Sequence, residues 1–154
     1  MAHPVSWFGF HAEACLRALR LRGQLRRGTP LIPATLVGSG SKRLDAARAW
    51  TAFLASRRAV RRLCPLDTCL SRSIVLFGLL SQYEGVTLHV GFRKKDSPPA
   101  PSGGPAGPAE KVLDGHAWVS VGGAPLGEPP GSLEGFVEIT PPRDARWAFA
   151  PERA

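Results

Sequence analysis

The stretch Asp67-Thr68-Cys69-Leu70-Ser71-Arg72-Ser73 runs straight into Ile74-Val75-Leu76-Phe77-Gly78-Leu79-Leu80, and its reading decides the fold. Asp67 and Thr68 are both good helix N-cap residues. Pro65, just before them, stops any helix arriving from upstream. A helix therefore starts here, with Cys69 in its first turn. The orphan backbone N–H groups and the positive dipole end at such a start favour a thiolate. From Ile74 to Leu80 the helix is apolar on nearly every side, which marks it as buried. A buried helix with a thiol at its mouth fixes that thiol at the base of a cleft. Cys69 is thus a candidate nucleophile, provided that the fold brings a histidine and an acid to it.

Upstream, Ala12 to Arg27 reads as an amphipathic helix. Cys15, Leu16, Leu19 and Leu25 form its apolar side, and Arg17, Arg20, Arg22, Arg26 and Arg27 its wet side. Gly28 and Pro30 end it. His11 and Cys15 are one turn apart, but Cys15 lies on the apolar stripe, where a thiol acts as a small hydrophobe. Thr29 to Ser41 is a connector. Asp45 to Leu63 reads as a second helix whose core side is Ala46, Ala47, Trp50, Phe53, Leu54 and Val60. Arg57, Arg58, Arg61 and Arg62 crowd its last turns, which suits the negative end of the dipole. Cys64 reads as structural.

Downstream, Val86 to Phe92 alternates as a half-buried strand, with His89 on its polar side as a rim histidine. Residues 94–111 are rich in proline, glycine, serine and alanine and read as a flexible loop within one domain, since they cannot bury enough apolar surface to order themselves. Gly115 to Val121 is a second strand, with His116, Trp118 and Ser120 on one face. Gly122-Gly123 is a hairpin signal. Folding about it makes paired positions sum to 245, so Glu128 lies opposite Ala117, beside the His116 row. Paired strands sit about 5 Å apart, close enough for a carboxylate to reach a histidine. Phe136 to Ile139 reads as a last strand, and Pro141 to Ala154 as a tail anchored by Trp147 and Phe149.

The 154 residues are the size of one domain. No apolar run approaches the roughly 20 residues that span a bilayer, and no secretory signal pattern opens the chain. Three cysteines and no paired Cys/His spacing point to a reducing, cytoplasmic setting without a structural metal. Charge is uneven: residues 1–72 hold 13 Lys and Arg against 3 Asp and Glu (+10), and residues 73–154 hold 7 against 9 (−2). The basic half either solvates helix faces or grips an acidic partner. No nucleic-acid motif accompanies it.

Thr68-Cys69-Leu70-Ser71-Arg72-Ser73, then Val90-Gly91-Phe92-Arg93, then Gly115-His116-Ala117-Trp118-Val119, then an acid twelve residues after the histidine, together resemble the transglutaminase-like leader peptidases of lasso-peptide biosynthesis, the C-terminal domain type of the microcin-processing B protein. The resemblance covers roughly Asp45 to Ile139. It implies an α+β, papain/transglutaminase-like core, with N-terminal helices (1–44 the first helical part) and a buried nucleophile helix packed on a small antiparallel sheet. It implies Cys69 as nucleophile, His116 as general base and Glu128 as orienting acid, with no cofactor. Aspartate is commoner at the last position, so Glu134 and Asp114 stand as alternatives to Glu128. Arg72 either acts on the Cys69 thiolate or binds substrate, and Trp118 either walls the cleft or packs the core. The implied partners are a precursor leader peptide, a separate leader-recognition protein and a lasso cyclase, with no nucleic acid or membrane. Two other functions fit the residues: amine acyl transfer, as in true transglutaminases, and a non-catalytic basic peptide-binding module.

Overall fold

Thr68 is the residue that starts the central helix. Its side-chain oxygen accepts a hydrogen bond from the Ser71 N–H (3.1 Å), which satisfies one of the orphan donors of the first turn. Asp45 does the same for the preceding helix, accepting from the Arg48 N–H at 2.8 Å. The computed structural model describes residues 7–28, 36–96 and 111–139. Its elements run α1 (Trp7–Arg26), β1 (Leu36–Val37), α2 (Ala46–Leu63), α3 (Cys69–Leu80), β2 (Val86–Asp96), β3 (Lys111–Val121), β4 (Ala124–Pro125) and β5 (Val137–Glu138). This is an α+β arrangement of three helices and a small antiparallel sheet, as the resemblance implies.

The sheet is organised about the long β2–β3 pair. Pairing runs from Val86↔Val121 to Asp96↔Lys111. β4 lies on the far side of β3, and β1 and β5 share the other edge of β2. Ser120↔Pro125 and Val121↔Ala124 both sum to 245, the register expected from the Gly122-Gly123 turn. Both turn glycines have positive φ (58° and 82°), which the turn requires. The strands are longer than the sequence predicts. Residues 93–96 and 111–114 continue the ladder, so the predicted loop over 94–111 has strand at both ends, and its middle, 97–110, lies outside the described residues. Arg93 and Asp114, directly paired and bonded at 3.0 Å, help to hold this extension where no apolar alternation marks it. The predicted tail from Pro141, with Trp147 and Phe149, also lies outside the described residues.

α3 is the element between the layers. Val75, Leu76, Leu79 and Leu80 are buried with Val86, Leu88 and Val119 of the sheet and with α1 and α2 on the other side. The helix pair is packed through small residues, and this corrects two expected faces. α1 buries Phe10, Ala14, Ala18 and Leu21, while Leu16 and Leu19 are half-exposed. α2 buries Ala49, Ala52, Ala55, Ser56, Ala59 and Val60, while Ala46, Ala47 and Trp50 are exposed and Phe53 is partly buried. Alanine faces let the helix backbones approach closely, and that contact outweighs turning the few leucines inward. β1, within the predicted connector, is a further difference. Gly40 explains part of it: a Cβ there would collide with the Gln82 and Tyr83 backbone, so only glycine lets this segment lie against the end of α3. Among the described residues, no helix is long and apolar enough to cross a membrane.

Candidate active site

α3 enters the site at its N-terminus. Cys69 is the first helical residue, partly exposed, at the wall of a cleft of about 250 Å³. Asp67 is not the cap; it receives a bidentate grip from Arg72, Nε to Oδ1 at 2.6 Å and Nη2 to Oδ2 at 2.7 Å. The hydrogen bond from Arg72 holds the Asp67 carboxyl below its ordinary range, with smaller contributions from the charges of Arg72, Arg61 and Arg57. The same hydrogen bond raises the Arg72 guanidinium, and the negative charges of Asp67 and Cys69 add to that. Arg72 lines the cleft, but Asp67 takes two of its nitrogens.

β3 supplies the histidine. Ser73, five residues after the cap, donates a buried hydrogen bond to the Ala117 carbonyl at 2.9 Å. This ties the nucleophile helix to the strand residue next to His116. His116 and Cys69 line the same cleft. The chain then turns at Gly122-Gly123, and the ladder ends at Pro125, with one further bond from the Leu126 N–H to the Val119 carbonyl (2.8 Å). Gly127 follows with φ +76°, which aims the next residue back at the strand. Glu128 Oε1 lies 3.2 Å from His116 Nε2. Both side chains are about three-quarters or more shielded, with 26% and 20% exposure. Ser132 donates a long bond (3.5 Å) to the other Glu128 oxygen. Of the alternative acids, Asp114 is engaged by Arg93. The carboxylate at the histidine is Glu128.

The sequence matches a model of the transglutaminase-like superfamily over residues 14–140. The chain belongs to the transglutaminase-like superfamily. That superfamily includes cysteine proteases and acyltransferases. No curated protein and no solved structure gives a significant match to the chain.

In this transglutaminase-like chain an aromatic layer backs the histidine. Trp118 is buried and lies nearly parallel to His116 (centroids 6.0 Å apart, 15°) and to His89 (5.1 Å, 8°). Phe136 closes the layer against both His116 and Trp118, and Arg93 sits over Phe136 at 4.5 Å. Trp118 therefore serves as both core and cleft wall. His89 is not a rim residue: its Nε2 is 2.7 Å from Ser120 Oγ. Glu138 lies 2.9 Å from Nδ1 but out of line for a hydrogen bond.

Cys15 and Cys64 lie against the core and do not line this cleft. Burial first, and the Asp67 charge second, push the Cys64 thiol above its ordinary value. Sequence reasoning missed Phe53, Arg57 and Leu126 in the lining, and Phe136 behind the histidine. Only Leu126 had a signal, its place in the hairpin between the glycine turn and Glu128. Among the described residues, no group of three or more His, Cys, Asp or Glu is placed to hold a metal ion.

Proposed function

We propose that this chain is a cysteine peptidase that removes the leader from a ribosomally made lasso-peptide precursor, before a separate cyclase closes the macrolactam ring. The observation that carries the peptidase reading is the 3.2 Å contact between Glu128 Oε1 and His116 Nε2, in a cleft that Cys69 also lines. A carboxylate at Nε2 holds the proton on that nitrogen and leaves Nδ1 to exchange a proton with the thiol. The orienting acid is Glu128.

In the reaction, His116 takes the Cys69 proton and the thiolate attacks the scissile carbonyl. The backbone N–H of Cys69, at the start of α3, donates to the developing oxyanion. His116 then returns the proton to the departing amine, which leaves a thioester. Water, deprotonated by His116, hydrolyses the thioester and restores the thiol. Trp118 walls off the His116–Glu128 pair, and Arg72 contacts the peptide at the rim.

The leader-specific part rests on the Cys-Leu-x-Arg and His-Ala-Trp blocks, whose order and spacing resemble those of leader peptidases. A separate leader-recognition protein and the cyclase are the partners in this reading. The test is cleavage of a leader-bearing precursor, reconstituted with such a recognition protein, by Cys69→Ala and His116→Ala. Both variants lose cleavage, and Cys15→Ala and Cys64→Ala keep it. Full cleavage by either of the first two overturns the assignment. A labelled amine found in the product in place of a free carboxylate identifies acyl transfer instead.

A further inference from the structure

The cleft carries one charge that the peptidase mechanism does not use. Its lining includes four charged or titratable side chains besides Cys69: Arg57, Arg72, His116 and Glu128. Arg72 is held by Asp67, and Glu128 by His116. Arg57 has no carboxylate partner among the described residues. It is nevertheless placed, with its guanidinium 5.5 Å from the centre of the Phe53 ring. Phe53 in turn stacks on Trp50 at 5.0 Å, and it meets the Gly127 turn that carries Glu128. A cation seated on an aromatic ring loses part of its freedom before any ligand arrives, while its N–H donors still face outward.

The surroundings repeat the sign. Phe53, Arg57 and Arg61 are four residues apart on one side of α2, so the aromatic base leads into a basic stripe, of which Arg57 lines the cleft with Cys69. The Asp67 carboxyl feels both Arg57 and Arg61, and Arg72 already occupies it. A positive wall in a partly enclosed cleft concentrates negative ligands.

We propose that Arg57, with Phe53 beneath it, forms a subsite that selects an acidic side chain, Asp or Glu, of the peptide substrate next to the scissile bond. This rests on the peptidase reading of the cleft and adds a substrate class to it. Arg57 acts here as a specificity residue and takes no part in bond making. An acid at that position accepts the guanidinium's paired N–H groups in a bidentate contact, and its amide counterpart offers only one acceptor oxygen.

The test uses the full chain and 12-residue peptide libraries in which one position at a time is fixed as Glu, Gln or Lys, with cut sites read by mass spectrometry. The wild type prefers Glu to Gln at one position flanking the cut by roughly two- to fivefold, the range of a partly exposed charge pair. Arg57→Gln removes that preference, and Arg57→Glu turns it towards Lys at the same position. Identical position profiles for wild type and Arg57→Glu overturn the subsite. A parallel arm separates this failure from failure of the peptidase reading. Fluorescence anisotropy measures binding of fluorescein-labelled Glu-containing and Gln-containing 12-mers to the Cys69→Ala protein, with and without Arg57→Glu, in samples of matching circular dichroism. Weaker binding of the Glu peptide alone supports the subsite even if no peptide is cut. Unchanged binding of the Glu peptide overturns it, whatever the cutting shows.

Discussion

Replacing Gly127 with alanine displaces the residue that brings Glu128 to His116. Gly127 has φ +76°, a conformation that costs a non-glycine residue on the order of 1–2 kcal/mol. The added Cβ would also meet the Phe53 ring, 2.9 Å from Cε1 and closer still to two other ring atoms. Ordinary contact begins at 3.4 Å, so ring and loop must separate by at least about 0.5 Å (3.4 − 2.9). Phe53 has little room to yield, because Trp50 stacks on it and Arg57 sits over it. The loop moves instead, and Glu128 moves with it from a contact already at 3.2 Å. The pull of a carboxylate on an imidazole falls with distance, and a misplacement of about 1 Å in a catalytic array can cost on the order of 100-fold. The expected outcome is a fall in kcat/KM of roughly 10- to 100-fold for cleavage of a leader-bearing precursor, followed by chromatography. Thermal unfolding followed by circular dichroism should show Tm lower by about 3–8 °C for a chain of this size. A lowered Tm with unchanged kcat/KM refutes the role given to the position of Glu128. No change in either refutes the packing of the loop on Phe53.

Ser73→Ala leaves the buried Ala117 carbonyl without its 2.9 Å donor, and urea unfolding should report a loss of about 1–2 kcal/mol; an unchanged midpoint contradicts the tie between α3 and β3. Cys64, whose thiol burial pushes upward, should be alkylated by iodoacetamide near neutral pH far more slowly than Cys69 at the cleft, as read by peptide mapping, and equal labelling contradicts this. Asp67 has its carboxyl lowered by Arg72, so its contribution is present above the ordinary aspartate value of about 3.9 and is lost as pH falls through the lowered value. Both side chains are about a third exposed, so Asp67→Asn should cost only about 0.5 kcal/mol at neutral pH. The Tm difference from wild type should close on acidification, and a difference that persists in strong acid contradicts the pairing.

Much of the site could be read from residues because its parts are locally encoded. Thr68 and Asp45 each satisfy an N–H of their own helix, so both starts follow from side-chain chemistry three residues long. The hairpin register follows from Gly122-Gly123, but its ladder ends at Pro125, short of the expected pairing of Glu128 with Ala117, and the turn at Gly127 brings Glu128 to His116 instead. The helix faces were less legible. Counting large apolar residues points to Leu16, Leu19 and Trp50, but alanines decide how closely α1 and α2 pack, and an alanine gives little periodic signal. The outer halves of β2 and β3 are rich in arginine, lysine and aspartate, which are weak strand formers, and cross-strand pairing carries them. The stack of His89, Trp118 and His116 joins two strands, so no single stretch of sequence displays it. Arg57 reads as one of four arginines at a helix end. Helical spacing already puts it beside Phe53, but only the fold sets that pair at the cleft, apart from Arg58, which sits over Trp7.

The central claim is that peptide cleavage passes through a thioester on Cys69. Acid-quenching the full chain during turnover of a leader-bearing precursor and weighing the intact protein tests this most directly. The account predicts an added mass equal to the leader acyl fragment, mapped by digestion to Cys69 and absent from Cys69→Ala. An adduct on Cys15 or Cys64, or cleavage at the wild-type rate by Cys69→Ala, contradicts it.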